Sequence, residues 1–350
     1  MARFPVPIAL FVFKRRDSVL RIIERIRPLR PVRLYLLGDA ARTPEEETLV
    51  SQCRQAVLHG INWECDVITN FATVNRGVYG NIALGARWVF EREQEAIFLE
   101  DDNLPQTTFF PFCQELLGRY RDDLRILWIC GTNYLEKYEP EDGASYVFTK
   151  HLLPCGWASW SHKFLRFYDF TFSTLNDVNL RKVRASYESR TLFWQQSRAW
   201  RIEIERARAG LQYLSWDFHM CWSIRANSLW GISPKYNQIE NIGVDNLSEH
   251  GHSSMSKTMT RRFCGIRSYP MPTELAHPRL VVADTEYEKR THMIIQFPFT
   301  LRLRVIAGDF VRRLLGIPCW VSPLIVLKSF LHGLHRVGTM TLTRRSRSNR

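Results

Sequence analysis

Residues 96–103 read AIFLEDDN. Four apolar or small residues, Ala96 to Leu99, run straight into Glu100, Asp101 and Asp102. A short apolar run bounded by polar residues is the pattern of a buried strand. The pattern repeats upstream in PIALFVF (7–13), VRLYLLGD (32–39) and INWECDVIT (61–69). Between these runs lie VLRIIERI (19–26), TPEEETLVSQCRQAVL (43–58) and YGNIALGARWVFERE (79–93), which have helical spacing. The second of them opens on Thr43, Pro44 and three acids, a helix-start signature. Alternating strand and helix predicts an α/β fold, a parallel sheet with helices on both faces. In such sheets ligands bind outside the carboxyl ends of the strands. One rim would then gather Lys14 and Arg15, Asp39, and the three acids.

Composition narrows the function classes. The chain has 350 residues, is 45% hydrophobic and 24% charged, and carries a net charge of +13. From Leu301 onward there are ten Arg or Lys against one acid, Asp309, so most of the excess sits in the tail. A body-wide nucleic-acid groove is therefore not expected; a basic, amphipathic tail is. That tail, with Arg302, Arg304, Arg312, Arg313, Lys328 and the cluster at 344–350, flanks an apolar segment and suits an anionic membrane surface. The eight Cys are widely spaced with no C-x-x-C pair, which reads as reduced thiols in a cytoplasmic protein. MARFPVPIALFVFKRRD lacks a cleavage site and reads as a first strand rather than a signal peptide. LLGIPCWVSPLIVL (314–327) is too short to span a bilayer.

Three adjacent acids at a strand end have two readings. They form a solvated acidic turn before Pro105, or they hold a hard divalent cation, Mn²⁺ or Mg²⁺, which binds through one or two carboxylates plus substrate phosphates. Beyond residue 150 the texture changes. HLLPCGWASWSHKF (151–164) is rich in Gly, Pro and Trp, 175–210 is charged and helical, and SWDFHMCWSIRA (215–226) offers Asp217 ahead of a helix. Asp217 reads as a helix N-cap, a general base, or both.

Taken in order, these blocks resemble the GT-A glycosyltransferases, and among them the inverting N-acetylglucosaminyltransferases that start complex N-glycans, with their bacterial relatives. PIALFVFKRR, LYLLGD, the Tyr79–Val89 block, FLEDDN, LPCGWASW, SWDFHMCW and NIGVDNLSEHG carry the resemblance, which covers roughly residues 5–252. Asp217 is followed by Phe218 where the relatives have a second Asp. The basic tail has no counterpart.

The resemblance implies a GT-A (Rossmann-like), mostly parallel sheet. Residues 1–150 would bind the nucleotide sugar, 151–275 the acceptor, and 276–350 would be a basic extension. It implies Asp102 as metal ligand and Asp217 as catalytic base, with Asp245 the competitor. Phe13, Lys14, Arg15, Arg16, Asp39, Asn75, Gly77, Glu100 and Asp101 would meet the donor, a UDP-sugar by preference. Trp157, Trp160, Trp216 and His250 would meet a glycan or lipid-linked acceptor. The reaction would be hexosyl or N-acetylhexosaminyl transfer, as in building a bacterial surface polysaccharide, by an enzyme peripheral to the inner face of the plasma membrane. The competing readings are a sugar-nucleotide pyrophosphorylase, against which stands the absence of a G-x-G-T-R loop, and a catalytically inactive carbohydrate-binding scaffold.

Overall fold

The computed structural model describes residues 3–244 and 258–324. The chain divides into two compact units, Met1–Trp200 with Gln212–Gln296, and Arg201–Leu211 with Phe297–Arg350. The divisions expected at 150 and 275 do not coincide with this one.

The first unit is built on β1 (Ile8–Val12), β2 (Arg33–Gly38), β3 (Asp66–Phe71), β4 (Glu95–Glu100), β5 (Asn103–Pro105), β6 (Ile126–Cys130), β7 (Tyr146–Thr149), β8 (Trp157–Trp160), β9 (Trp230–Pro234) and β10 (Ile239–Asn241). Among the described residues, eight strands form one sheet in the order β3-β2-β1-β4-β8-β6-β9-β7. β8 runs antiparallel to both β4 and β6, and β7 antiparallel to β9; the other pairs are parallel. β5 and β10 form a separate antiparallel ribbon just past the acids.

Helices cover both faces. The helices are α1 (Arg16–Ile26), α2 (Pro44–Gly60), α3 (Gly77–Phe90), α4 (Phe109–Arg119), α5 (Ser161–Phe167), α6 (Asp177–Ala185), α7 (Arg190–Arg208), α8 (Trp216–Ala226), α9 (Thr258–Phe263) and α10 (Thr285–Ile295); the second unit, by itself, holds α11 (Phe299–Leu315). Strand periodicity sorts β1 between the two cores. Ile8, Leu10 and Val12 pack with residues of α1, α2 and α4, while Ala9 and Phe11 pack with residues of α3, α5 and α8. This is the α/β, Rossmann-like, mostly parallel sheet flanked by helices that the sequence predicts.

Two local expectations shift. The third strand begins at Asp66 rather than Ile61. The charged stretch 175–210 is two helices, because serines intervene. The Ser186 hydroxyl donates to the Val183 carbonyl at 2.7 Å, and Ser189 Oγ accepts from Leu192 N at 3.1 Å, closing one helix and opening the next.

The core also holds two histidines. Burial pushes the pKa of His151 and of His219 down to about 4. A histidine with a depressed folded pKa is neutral in the fold, so its contribution is present above the unfolded pKa near 6.5 and is lost as pH falls toward 4. The His219 share of that loss is on the order of 2–3 kcal/mol. The expected result is a steeper fall in urea-unfolding stability from pH 7 to 4.5 for wild type than for His219→Phe. Equal acid losses in the two proteins would mean that His219 takes up its proton inside the fold. Comparing the two proteins also removes the opposing effect of Asp101 and Glu100, whose raised pKa values favour the fold as pH falls.

Candidate active site

The carboxyl ends of β1, β2 and β4 border one cleft, lined by Phe13, Lys14, Arg15, Asp39, Asn75, Gly77, Glu100 and Asp101 among others. Parallel pairing of β1 with β2 and β4 explains the convergence, since Phe11 lies opposite both Leu37 and Glu100. The charged residues beyond each strand therefore emerge at the same level.

The acids are organised around one guanidinium. Arg15 Nη1 lies 2.9 Å from Asp101 Oδ1 and 3.4 Å from Asp102 Oδ2. The Phe13 backbone N–H donates to Asp101 Oδ2 at 3.1 Å. Burial pushes the Glu100 carboxyl well above the usual carboxylate range. The negative charges of Asp102, Asp101 and Asp217 push it further, and Arg15 pulls it back. Asp101 is raised by burial and held down in part by Arg15. Glu100 thus senses Asp217, which comes from a different part of the chain. Asp217 is not the helix cap that its position suggests. Ser215 occupies that place and Asp217 lies in the first turn of α8, where the helix dipole favours a carboxylate.

Asp102 lies just beyond the cleft lining. Asn103 Nδ2 donates to Asp102 Oδ1 at 2.7 Å, while Asn103 Oδ1 accepts from Gly156 N at 2.8 Å and from Glu100 N at 3.3 Å. Asn103 is fully buried and acts as the splint of the acidic turn. On the other side, the Ile242 N–H donates to the Asp102 carbonyl at 2.9 Å. A Cβ on Gly243 would come within 2.3 Å of Asp102 Oδ2, so only glycine lets the chain pass so close to this carboxylate.

Asp39 is buried and serves the loop beside it. Its Oδ1 accepts from Arg76 N at 2.7 Å and Ala40 N at 2.8 Å, and its Oδ2 from Asn75 Nδ2 at 3.1 Å. Burial raises its pKa, and the backbone donors lower it. Asn75 also donates to the Ala40 carbonyl at 2.6 Å. Gly77, at φ +71°, then starts α3 from a conformation that favours glycine. Lys14 Nζ is 2.8 Å from Glu46 Oε1, and Arg42 both bonds Glu46 and lies over the Phe13 ring at 5.4 Å. Arg16 is exposed at the start of α1 and does not line the cleft.

Three expected acceptor residues are placed elsewhere. Trp157, Trp160 and Trp216 are buried in the core and cannot stack on a sugar. Trp157 is sandwiched between Phe98 and Trp128, with ring centroids at 4.0 and 4.3 Å. Trp160 donates to the Leu117 carbonyl at 2.9 Å, and Trp216 packs on Trp128 and Trp157. β8 is covered on both faces, with Trp157 in one core and Trp160 in the other, and Trp216 on α8 joins the first, a placement that the Gly-Trp motif by itself does not reveal. His250, His252 and Asp245 lie outside the described residues.

Sequence reasoning missed Asn103, Gly243, Arg42 and Asn81. The last is 7% exposed, lines the cleft, and its Oδ1 has no hydrogen-bond partner among the described residues. For Asn103 the signal was present, directly after the acids. Asn81, one more residue of an amphipathic helix, gave none. Among the described residues no group of three or more His, Cys, Asp or Glu side chains is arranged to hold a metal ion by itself. None of their helices is long and apolar enough to cross a membrane.

No protein-family model matches the chain, and no curated protein sequence does. Among solved structures, it is similar to an active-site mutant of LgtC, at 12% identity over 85% of this chain and 99% of that one, with a TM-score of 0.33. It is similar to mouse xyloside xylosyltransferase 1 at 10% identity over 64% and 83%, TM-score 0.33. It is also similar to a UDP-glucose pyrophosphorylase complexed with UDP-glucose, at 6% identity over 67% and 92%, TM-score 0.32. At such scores the likeness carries no argument about activity.

Proposed function

We propose that this chain is a metal-dependent, inverting glycosyltransferase. It moves a hexosyl or N-acetylhexosaminyl group from a nucleoside-diphosphate sugar, a UDP-sugar by preference, to a hydroxyl of a glycan or lipid-linked acceptor. The supporting observation is the pairing of Arg15 with both Asp101 and Asp102 at a sheet's ligand-binding edge, beside Glu100, whose carboxyl is raised by burial and by the charges of Asp102, Asp101 and Asp217. The N-acetylglucosaminyl character and the inversion rest on the sequence blocks.

In this reading Asp217 accepts the proton of the acceptor hydroxyl. The hydroxyl oxygen bonds to the anomeric carbon as the bond to the diphosphate breaks, and the electron pair leaves with the nucleoside diphosphate. Asp101 and Asp102 on Arg15, with Glu100 beside them, make an acid-rich strand end of oxygen donors, an environment that fits a hard divalent cation. Asp102 would hold Mn²⁺ or Mg²⁺ together with the donor's own phosphate oxygens. Such an ion neutralises charge on a leaving diphosphate. Lys14 and Arg15 would trade their present carboxylate partners for the diphosphate. The Phe13 ring and the Asp39–Asn75–Gly77 corner would frame the base. The cleft, at about 110 Å³ and open to one side, is smaller than common ligand pockets. Most of the donor would therefore lie along the open side.

The test is nucleotide release from a panel of UDP-, GDP-, CMP- and dTDP-sugars, with Mn²⁺, Mg²⁺ or EDTA. One donor should turn over, with activity lost in EDTA and reduced at least about 100-fold by Asp102→Asn. A nucleoside triphosphate formed from pyrophosphate and the sugar nucleotide would identify a pyrophosphorylase instead. No metal-dependent binding of any donor would leave the acids as a turn and favour the scaffold reading.

The second unit supports membrane association in the same proposal. On α11, Phe299, Leu303, Ile306, Phe310 and Leu314 follow helical spacing along one face, and each is at least half exposed. Arg302, Arg304, Arg312 and Arg313 lie alongside. Basic residues beside an apolar stripe suit an interfacial helix. The full chain should sediment with phosphatidylglycerol vesicles and stay in solution with phosphatidylcholine. Replacing Phe310 and Leu314 with serine should release it; unchanged sedimentation of that variant would remove α11 from the contact.

A further inference from the structure

At the edge of the sheet opposite the acids, the structure holds a second cavity, of about 310 Å³. It is separate from the cleft. β7 runs antiparallel to β9, so its carboxyl end, which continues into Lys150 and His151, points to the other edge. Arg225 lies in the last turn of α8, eight residues after Asp217 and thus roughly 12 Å along the helix. The turn between α6 and α7, with Ser186 and Ser189, and the exposed Lys289 of α10 complete the lining.

Arg225 is the anomaly. Its side chain lies in the interior, 5% exposed, yet among the described residues it makes no ion pair. Its Nη1 reaches the Ser186 carbonyl at 3.4 Å and its Nη2 reaches His151 Nδ1 at 3.5 Å, both long for hydrogen bonds. Its Nε has no hydrogen-bond partner among the described residues. The Tyr187 ring lies 4.2 Å beneath the guanidinium. A buried cation without an anion is costly, and arginine is selected where an oxyanion is gripped by two donors at once. The carboxylate of Glu288 shares the cavity but is already engaged. It accepts from Lys150 N at 2.9 Å and from the Thr149 hydroxyl, and lies 3.5 Å from His151 Nε2. Glu188 also lines the cavity, against the cations Lys150, Arg225 and Lys289. His151 remains neutral at physiological pH because burial disfavours its charged form.

We infer that this cavity is a binding site for a phosphate-type oxyanion, held by the Arg225 guanidinium with Lys150 and Lys289 at its mouth. The anion is free phosphate or the phosphate of a small monoester; the chemistry of capture is the same. The cavity is spacious enough for such a group, since one water occupies about 30 Å³ of liquid.

Thermal melts of the full chain at fixed ionic strength test this, with inorganic phosphate, glycerol phosphate and acetate as probes. Phosphate should raise Tm saturably by about 2–4 °C. Lys289→Glu and Lys150→Gln should weaken the midpoint of that response several-fold. Arg225→Gln should abolish it, and Arg15→Gln, at the other site, should leave it intact. A tighter response to glycerol phosphate than to inorganic phosphate would support the site and identify the monoester; the reverse would support it and identify the free anion. A linear, unsaturable rise that is the same in all variants is a general salt effect and would overturn the inference. So would a response to acetate as strong as to phosphate. If Arg225→Gln does not fold, the two lysine variants decide, and an unchanged response in both sinks the proposal. Phosphate held in the donor cleft instead would give a response lost in Arg15→Gln and kept in Arg225→Gln, which would overturn the inference, so this pair of variants separates it from the transferase reading.

Discussion

Replacing Asp217 with asparagine is expected to lower kcat by about 10²- to 10⁴-fold, the range for removing a general base. KM for the donor should barely move, because the base acts on the acceptor's proton. The substitution is close to isosteric and sits in the first turn of α8 rather than at its cap, which Ser215 occupies. Loss of one first-turn carboxylate costs roughly 0.3–1 kcal/mol of helix stability, far too little to explain such a rate loss. The measurement is steady-state transfer with the donor found in the panel, beside a thermal melt of each protein. A loss below about tenfold in a normally folded variant would move the base elsewhere, and Asp245 is the competitor that the sequence offers.

Trp157→Ala addresses the opposite kind of residue. Its indole is sandwiched between Phe98 and Trp128 and touches Phe164 and Trp216. Removing it should cost about 3–5 kcal/mol in unfolding free energy, the range for emptying a large aromatic site in a core. Among those proteins that remain folded, acceptor KM should be unchanged. A variant with near-normal stability and a raised acceptor KM would return Trp157 to the role of a sugar platform.

The legibility of this chain followed its periodicity. The apolar runs at 7–13, 32–39 and 96–100 specified strands whose carboxyl ends share one edge, so Lys14, Arg15, Asp39 and the acids could be assembled without coordinates. Asp217 was legible as a carboxylate ahead of a helix, yet its proximity to Glu100 was not, since it depends on how α8 packs against the sheet. The tryptophans misled because a Gly-Trp stretch at the surface and one in a core look alike in sequence. WASW is a four-residue strand buried on both faces, so it shows no alternation that would separate a core side from an exposed one. The binding roles of Lys14 and Asp39 were read as direct contacts to a ligand; the fold already engages both, Lys14 with Glu46 and Asp39 with the 75–77 loop. Nothing in the sequence distinguished Arg225 from other arginines on amphipathic helices, because its burial beside a carboxylate that other groups already engage arises only when three distant segments meet.

The reversed strand β8 has a consequence for how the chain is made. It fills the slot between β4 and β6, and β6 finds both of its neighbours, β8 and β9, later in the sequence. During synthesis, a chain that has not yet reached Trp160 therefore carries one unpaired edge on β4 and two on β6. Open edges of apolar strands pair readily with other chains. The nascent protein is thus most exposed to aggregation in the interval before residues 157–160 dock, and again until 230–234 arrive, which is the period in which holding by a chaperone matters most.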